Sequence, residues 1–535
     1  DNGEAYSRFW NKYERPPAPV FQQFIIDRRD LLVPQNIREV RGSFFTPKIW
    51  ADKSKEYLAR VFGGNWQEEY IVWDCAAGTG NLLAGLSNKY NVWASDIDQG
   101  NVETMHSLID IDENLDLLPA HIFQFDFLND SFDKLPEGLR NIINDPERRK
   151  KLIVYINPPY AEVSSLGDTE MRGRKAGVNQ SKTHDKYIYH LGTAGREMFA
   201  LFLARIYYEI SGCKIGEFST LKALNGAAFD KFRSLFKAEL AKCFIVPANT
   251  FDNVFGQFPI GFKIWDTDKR DGFENIIADV FDAANNQLGN KMFCAYTKGQ
   301  FINTWISKYK AEDNESIGYM DGINGNDFQH NNIVYIINRK ELLPNPRGIW
   351  INKTNLLECS IYFFVRHCFE HTWINHNDQF LSPNDEYKTN TGFQNECLIY
   401  TLFHSKNSIL SQYGINHWTP FTEKEVDAQE KFESNFMSGF LKGKTLSAEA
   451  QAVLDAGREL WKYYHAKTKD NKTASVNASF YDIREFFQGR NDKGTMKTKS
   501  DDETYNELIG TLREKLAILT KKIQPKVYEY GFLKE

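Results

Sequence analysis

Between residues 45 and 270, short apolar runs without polar alternation recur at intervals that leave room for helices. Tyr70-Ile71-Val72-Trp73, Asn91-Val92-Trp93-Ala94, His121-Ile122-Phe123-Gln124-Phe125 and Leu152-Ile153-Val154-Tyr155-Ile156 are β-rich. Their lack of alternation is the pattern of parallel strands covered by helices on both faces. Further strands are expected at 214–220, 242–247 and 260–266. In the segment 195–210, Met198, Phe199, Phe202, Leu203, Ile206 and Tyr207 fall at the spacing of a helix face turned to a core. Asn81-Leu82-Leu83-Ala84 is expected to open another helix. The fold class that follows is α/β, a doubly wound parallel sheet.

Beyond 270 the pattern changes. Residues 273–306 read as a hairpin turning at Gln287-Leu288-Gly289-Asn290. The stretch from Tyr319 to Asp327 is turn-rich and reads as a linker. Residues 328–440 are rich in Asn, His and aromatics, a mixed α+β region. Helices are expected at 446–466 and 502–523, the second striped by Tyr505, Leu508, Leu512, Leu516, Leu519 and Ile523 and ended by Pro525. The expected organisation is an N-terminal extension at 1–40, an α/β domain at 41–310, a mixed region at 311–440 and a helical region at 441–535.

The strand ends carry the polar chemistry. The first leads into Asp74-Cys75-Ala76-Ala77-Gly78-Thr79-Gly80, the second into Ser95-Asp96-Ile97-Asp98, the third into Asp126-Phe127 and the fourth into Asn157-Pro158-Pro159-Tyr160. Glycines at 78 and 80 let backbone approach a ligand closely, in a spacing that departs from the GxGxxG dinucleotide fingerprint. Asp96, about 18 residues beyond that turn, can accept hydrogen bonds from ribose hydroxyls. Two prolines stiffen the last corner, because they fix φ and remove two donors. An amide oxygen beside a free carbonyl makes two acceptors, which suits a ligand presenting an NH2 group. Taken singly, each of these residues also reads as a cap or turn.

The chain has 535 residues, 42% hydrophobic and 25% charged, ordinary for a soluble protein. It opens on Asp1, so a fragment of a longer protein is expected. No membrane span or secretion signal is read. Seven cysteines without a CxxC pair read as reduced core residues of a cytoplasmic protein. The net charge of −6 hides a local excess: residues 171–240 hold about six more basic than acidic side chains. Arg172, Arg174, Lys175, Lys182 and Lys186 lie in or beside a polar loop at 161–190, either a DNA-contacting loop or a plain insertion. Clustered His367, His371 and His376 could suggest a metal, but His371 and Cys368 lack further ligands at a metal-binding spacing, and no metal is expected.

In this order the motifs resemble a gamma-class, S-adenosylmethionine-dependent DNA adenine amino-methyltransferase of the type II or type IIG restriction-modification kind. Arg41-Gly42-Ser43-Phe44-Phe45-Thr46-Pro47 resembles the family segment that closes over the cofactor, and Asp74-Cys75-Ala76-Ala77-Gly78-Thr79-Gly80 its glycine loop. The resemblance covers about half the chain. It implies a Rossmann-like catalytic domain at 41–310, a target-recognition domain at 311–440 and S-adenosylmethionine as cofactor. The cofactor residues it implies are Phe45, Thr46, Pro47, Asp74, Ala76, Gly78, Gly80, Asp96, Ile97, Asp126, Phe127 and Asn157. The catalytic residues implied are Asn157, Pro158 and Tyr160: Asn157 Oδ1 and the Pro158 carbonyl take the amine hydrogens, and Tyr160 stacks on an extruded base. Phe251 to Pro259 resembles a segment with a base-stacking aromatic, without indicating which Phe. Double-stranded DNA is the implied partner, contacted through Arg172, Arg174, Lys175 and Lys182, with a restriction or specificity subunit as a second one. Methylation of a protein glutamine or RNA base, or a DNA-binding modification subunit needing a partner for activity, are the alternatives. No PD…ExK nuclease set is read, so any cleavage is expected outside this chain.

Overall fold

A computed structural model describes residues 46–109, 115–160, 181–251, 254, 256–312, 315–338, 343, 346–471 and 473–534, with two short strands at Glu162–Val163 and Gly177–Val178. The chain divides into two compact units, 1–295 and 296–535.

The first unit is built on a nine-stranded sheet. Its strands are β1 (Ile71–Asp74), β2 (Val92–Asp96), β3 (Ile122–Gln124), β4 (Leu152–Ile156), β7 (Lys214–Thr220), β8 (Glu239–Pro247), β9 (Pro259–Asp266), β10 (Asn275–Phe281) and β11 (Gln287–Cys294), where β5 and β6 are the two short strands above. The spatial order is β11-β10-β8-β9-β7-β4-β1-β2-β3. Strands β3, β2, β1, β4 and β7 are mutually parallel, while β9 runs antiparallel between β7 and β8. All five residues of β4 are buried, as the unalternated pattern requires of a strand covered on both faces. One face carries Trp73, Phe125, Phe127 and Phe202 in mutual ring contact. On the other face Tyr155 Oη lies 2.5 Å from Ser54 Oγ of the helix Lys48–Phe62. The chain leaves β1 toward β2 and β3 and returns to β4 on the far side of β1. The crevice at this reversal, outside the carboxyl ends, is where open α/β sheets bind ligands.

Two expectations about this unit are corrected. Residues 81–85 are turns, not the start of a helix. Gly85 adopts φ 80°, and Lys55 Nζ takes the Ala84 carbonyl at 2.6 Å, so no helical ladder develops before β2. The hairpin turns at 282–286, not at 287–290: Asp282 Oδ1 accepts from the Ala284 and Asn286 N–H groups at 2.9 and 2.8 Å, and Asn285 adopts φ 65°. Gly289 stands instead within β11, beside a register shift where Val280 pairs with Gly289 and Phe281 with Gln287. A strand glycine marked a bulge there, not the reversal.

In the second unit, β12 (Gly318–Asp321) is the centre of a three-stranded antiparallel sheet with β13 (Tyr335–Ile337) and β14 (Ile349–Ile351). Tyr319 to Asp321 are therefore a buried strand rather than linker. Helices Leu356–His367, Thr391–Phe403, Ala448–Thr468 and Glu503–Glu529 share one core with this sheet. The last helix passes through Pro525 and does not end there. Interior proline costs about 3 kcal/mol, but the turn beyond it buries Val527, Tyr530 and Phe532, which offsets that cost. No helix among the described residues is long and apolar enough to cross a membrane.

Buried histidines are expected to make this unit less stable in acid. His367 and His404 stack at 4.6 Å, and His367 Nε2 faces the Val334 carbonyl at 3.0 Å. Burial pushes His404 down to about 3 and His465 to about 4. Each is neutral when folded but binds a proton when unfolded below about pH 6.5, so their contribution is full above that value and is lost as pH falls toward the folded values. At pH 5 His404 should cost roughly 2 kcal/mol, and His465, more open to solvent screening, less than that. Denaturant unfolding of the second unit at pH 7 and 5 should show this loss, and His404→Phe should reduce it.

Candidate active site

The carboxyl ends of β1, β2, β3 and β4 bring together most of the strand-end residues. Asp74, 1% exposed, ends β1, and its Oδ1 accepts from the Ala76 N–H at 3.0 Å. Burial, assisted by the nearby Asp96 charge, pushes its carboxyl up to about 8. A carboxyl raised in this way gains most from a cationic ligand. Gly78 and Gly80 adopt φ 56° and 89°, a region that penalises side chains. A Cβ on Gly80 would also stand 3.1 Å from Leu115 Cδ1.

Asp96 ends β2 and ties this loop down. Its Oδ2 accepts from the Gly78 N–H at 2.9 Å; its Oδ1 accepts from the Asp98 N–H at 2.8 Å and from Asn101 Nδ2 at 3.0 Å. A carboxylate has about four acceptor positions, so among the described residues one, on Oδ2, is left for a ligand hydroxyl. Ile97 beside it is 62% exposed, an unusual position for an isoleucine and a ready apolar surface for a flat ring. Asn101, five residues past Asp96 in the helix Gln99–Leu108, was not singled out in the sequence; a polar residue at that spacing from a strand-end acid was the available signal.

Asp126 caps the turn that follows β3. Its Oδ1 accepts from the Leu128 and Asn129 N–H groups at 3.0 and 3.1 Å, and its Oδ2 from Asn129 Nδ2 at 2.7 Å. One Oδ2 position remains for a ligand donor. Phe127 departs from expectation in part: its ring is 2% exposed and stacks on Phe202 at 5.0 Å, so it belongs to the core. Among the described residues its backbone N–H has no protein acceptor, and this donor is what Phe127 offers.

Beyond β4, Asn157 Nδ2 donates to Thr46 Oγ1 at 3.0 Å, and the Tyr160 hydroxyl donates to Asn157 Oδ1 at 2.6 Å. Thr46 is buried and Pro47 caps the helix Lys48–Phe62, which brings the Thr46-Pro47 segment to the same corner. Pro158 is buried, and Pro159 and Tyr160 are half-buried. Burial pushes the Tyr160 phenol well above its ordinary range, helped by the Glu217 carboxylate, so its hydroxyl remains a donor. Here the Tyr160 hydroxyl occupies the Oδ1 acceptor, an arrangement the sequence did not suggest. Ala76 lies half-buried in the glycine loop.

Phe45, Arg172, Arg174, Lys175 and Phe255 lie outside the described residues. Lys182 is exposed, with its N–H on Asn129 Oδ1 at 2.9 Å, while Lys186 is paired with Glu209 at 2.8 Å. Phe251 is 1% exposed and packs edge-on to Phe218 at 5.8 Å, which removes it as a stacking surface. Cys75 is buried, its thiol pushed well above its usual range by burial, so it is a packing residue.

No protein-family model matches the chain, and no curated protein matches it. Among solved structures, it is similar to the methyltransferase subunit of a type I restriction-modification system from Streptococcus thermophilus, with 15% identity over 46% of this chain and 49% of that one at a TM-score of 0.31. A DrdV–DNA complex matches with 13% identity over 51% and 30% of the two chains at 0.35. The type IIG restriction endonuclease BpuSI matches with 18% identity over 46% and 29% at 0.32. The chain spans about half the length of the first and under a third of the other two.

Proposed function

We propose that the chain is an S-adenosylmethionine-dependent DNA methyltransferase acting on the N6 amine of adenine extruded from a duplex. The observation that carries this reading is the Asn157 amide, oriented by Thr46 and Tyr160 at the end of β4, on the same sheet edge as the Asp96–Gly78 contact. The remaining acceptor on Asp96 fits a ribose hydroxyl, the exposed Ile97 fits an adenine face, and the Asp126 acceptor with the Phe127 N–H fits the adenine edge. The raised carboxyl of Asp74 fits a cation. S-adenosylmethionine supplies an electrophilic methyl group on a sulfonium.

Adenine's exocyclic amine is a weak nucleophile because its lone pair is delocalised into the ring. Asn157 Oδ1 and the Pro158 carbonyl accept its two hydrogens and concentrate electron density on nitrogen. The arriving amine takes the second acceptor position of Oδ1 beside the Tyr160 hydroxyl, and the Tyr160 ring at the same corner stacks on the base. The nitrogen then forms the N–C bond, displaces a neutral thioether and gives one proton to solvent. Residues 41–310 serve as the catalytic domain. Residues 311–440, rich in Asn and His, read base edges, and 441–535 support them, in a restriction-modification setting with a restriction or specificity subunit as partner.

Because Asp74 sits near 8 when the site is empty, pairing with a ligand cation favours its ionised form. Cofactor affinity should therefore rise with pH from 6.5 toward 8.5, with proton uptake by the buffer on binding. Calorimetry in two buffers of different ionisation enthalpy reads both quantities, and Asp74→Asn should flatten the profile. As a test of the function itself, incubation with S-adenosylmethionine and unmethylated genomic DNA should leave modified adenines within one sequence context. Methyl transfer only to protein glutamine or RNA would replace this reading.

A further inference from the structure

In the second unit, just ahead of β13, Phe328–Ile333 form a 3-10 helix. Side chains three residues apart eclipse in such a helix, so its residues fall into three rows. Phe328 and Asn331 make the inward row: both are buried, Phe328 stacks on Phe380 at 4.6 Å, and Asn331 Oδ1 accepts from Arg366 Nε at 3.0 Å. Gln329 and Asn332 make a second row, and both are exposed. Neither amide makes a side-chain hydrogen bond among the described residues.

Arg366 fixes this turn from within. Its side chain is fully buried, and no carboxylate pairs with it among the described residues. A buried cation held by neutral acceptors alone is costly. Its bonds to the Gly325 and Asp327 carbonyls and to Asn331 Oδ1 all go to the segment 325–331, so the exposed amides stand on a backbone set before any ligand arrives. The charge around them is positive. Between 322 and 338 the sequence carries one carboxylate, Asp327, and His330 engages it. Lys406 Nζ donates to the Asn332 carbonyl at 2.8 Å, and Arg484 Nη1 to the Ser405 carbonyl at 3.1 Å. Neither cation has an ion-pair partner among the described residues. The acids of Arg484's own helix, Phe480–Gln488, are engaged elsewhere: Asp482 by the Ser411 and Ser479 N–H groups, Glu485 by Arg490.

We infer that Gln329 and Asn332 are specificity-determining residues that read adenine edges in the major groove of the DNA, with Lys406 on a phosphate beside them. This inference rests on the function proposed above and assigns particular residues within the region 311–440. A side-chain amide presents a donor and an acceptor side by side, the complement of adenine N7 and N6. At about 2.0 Å of rise per residue, the two amides stand about 6 Å apart along the turn. That is close to two base-pair steps of about 3.4 Å, so each amide meets a different base pair. The Lys406 ammonium fixes register without reading sequence.

The test is equilibrium binding by the full chain to duplexes carrying the sequence context in which it methylates genomic DNA, and to the same duplexes with one base pair exchanged at a time. In Gln329→Ala/Asn332→Ala, the preference for the parent context should fall by about tenfold to a hundredfold at one or two A·T positions and hold elsewhere. Lys406→Ala should weaken binding to every duplex alike and reduce the slope of log K against log salt by about one. Denaturant midpoints equal to the parent's should show the second unit intact in both variants. An unaltered preference at every A·T position in the double variant, with the parent chain keeping its context, would overturn the reading face and leave the proposed function standing. An unaltered salt slope in Lys406→Ala would overturn the phosphate contact. A parent chain that methylates no DNA would overturn both the reading face and the function.

Discussion

Replacing Asn157 by alanine is expected to lower the rate of methyl transfer to DNA by about a thousandfold, the order seen when a single polar group aimed at a transition state is removed. Cofactor affinity should fall only a few fold. The split follows from geometry. Asn157 is held by Thr46 and Tyr160, whereas the hydrogen bonds to the Ala76 and Gly78 N–H groups of the glycine loop come from Asp74 and Asp96. Asp96→Ala should show the reverse order, because it removes both the ligand acceptor and the restraint on the Gly78 N–H. Calorimetry and single-turnover rates on the two variants read this contrast directly, and equal loss of cofactor affinity in both would contradict the division of roles.

Lys263→Met is expected to destabilise the first unit by about 3–5 kcal/mol, the cost of leaving a buried charge without its partner. Lys263 and Glu217 face each other across β9 and β7 at 3.3 Å with both side chains fully buried. Lys263 Nζ also donates to the Ser219 and Gly261 carbonyls at 3.1 Å each, and Trp265 Nε1 to Glu217 Oε1 at 3.1 Å. Burial raises the Glu217 carboxyl, and Lys263 opposes that shift. Glu217 Oε2 is buried without a partner among the described residues, so the network has little redundancy. The double variant Glu217→Leu/Lys263→Met should recover most of the loss, because replacing both charges by apolar groups removes the desolvation cost as well as the attraction. Denaturant midpoints of the three proteins give the comparison. A double variant as unstable as Lys263→Met would mean that packing, not the stranded charge, governs this position.

The strands were legible because burial on both faces leaves its mark as an unbroken apolar run. Leu152 to Ile156 were read to the residue, and β7 and β9 to within one. The elements that were misread depend on contacts distant in sequence. The turn run at 81–85 is closed by Lys55 from another helix, and the helix through Pro525 is held by a core that local propensity does not report. In the site, Asp74, Asp96, Asp126 and Asn157 showed in sequence because a polar residue closing an apolar strand is conspicuous. The Thr46 and Tyr160 bonds to Asn157, and the Glu217–Lys263 pair, left no such mark. Each joins residues whose partner is fixed only once strands and loops have taken their places, and a lysine in the middle of β9 reads locally as an edge or surface position.

The most direct test of the central chemistry is to supply S-adenosylmethionine carrying an isotopically labelled methyl group with unmethylated duplex DNA, hydrolyse the product to nucleosides and identify the labelled species by mass spectrometry. Acceptors at Asn157 Oδ1 and the Pro158 carbonyl imply label on N6 of deoxyadenosine, and none from Asn157→Ala. Label on a cytosine carbon, or equal labelling by the parent chain and the variant, would contradict it.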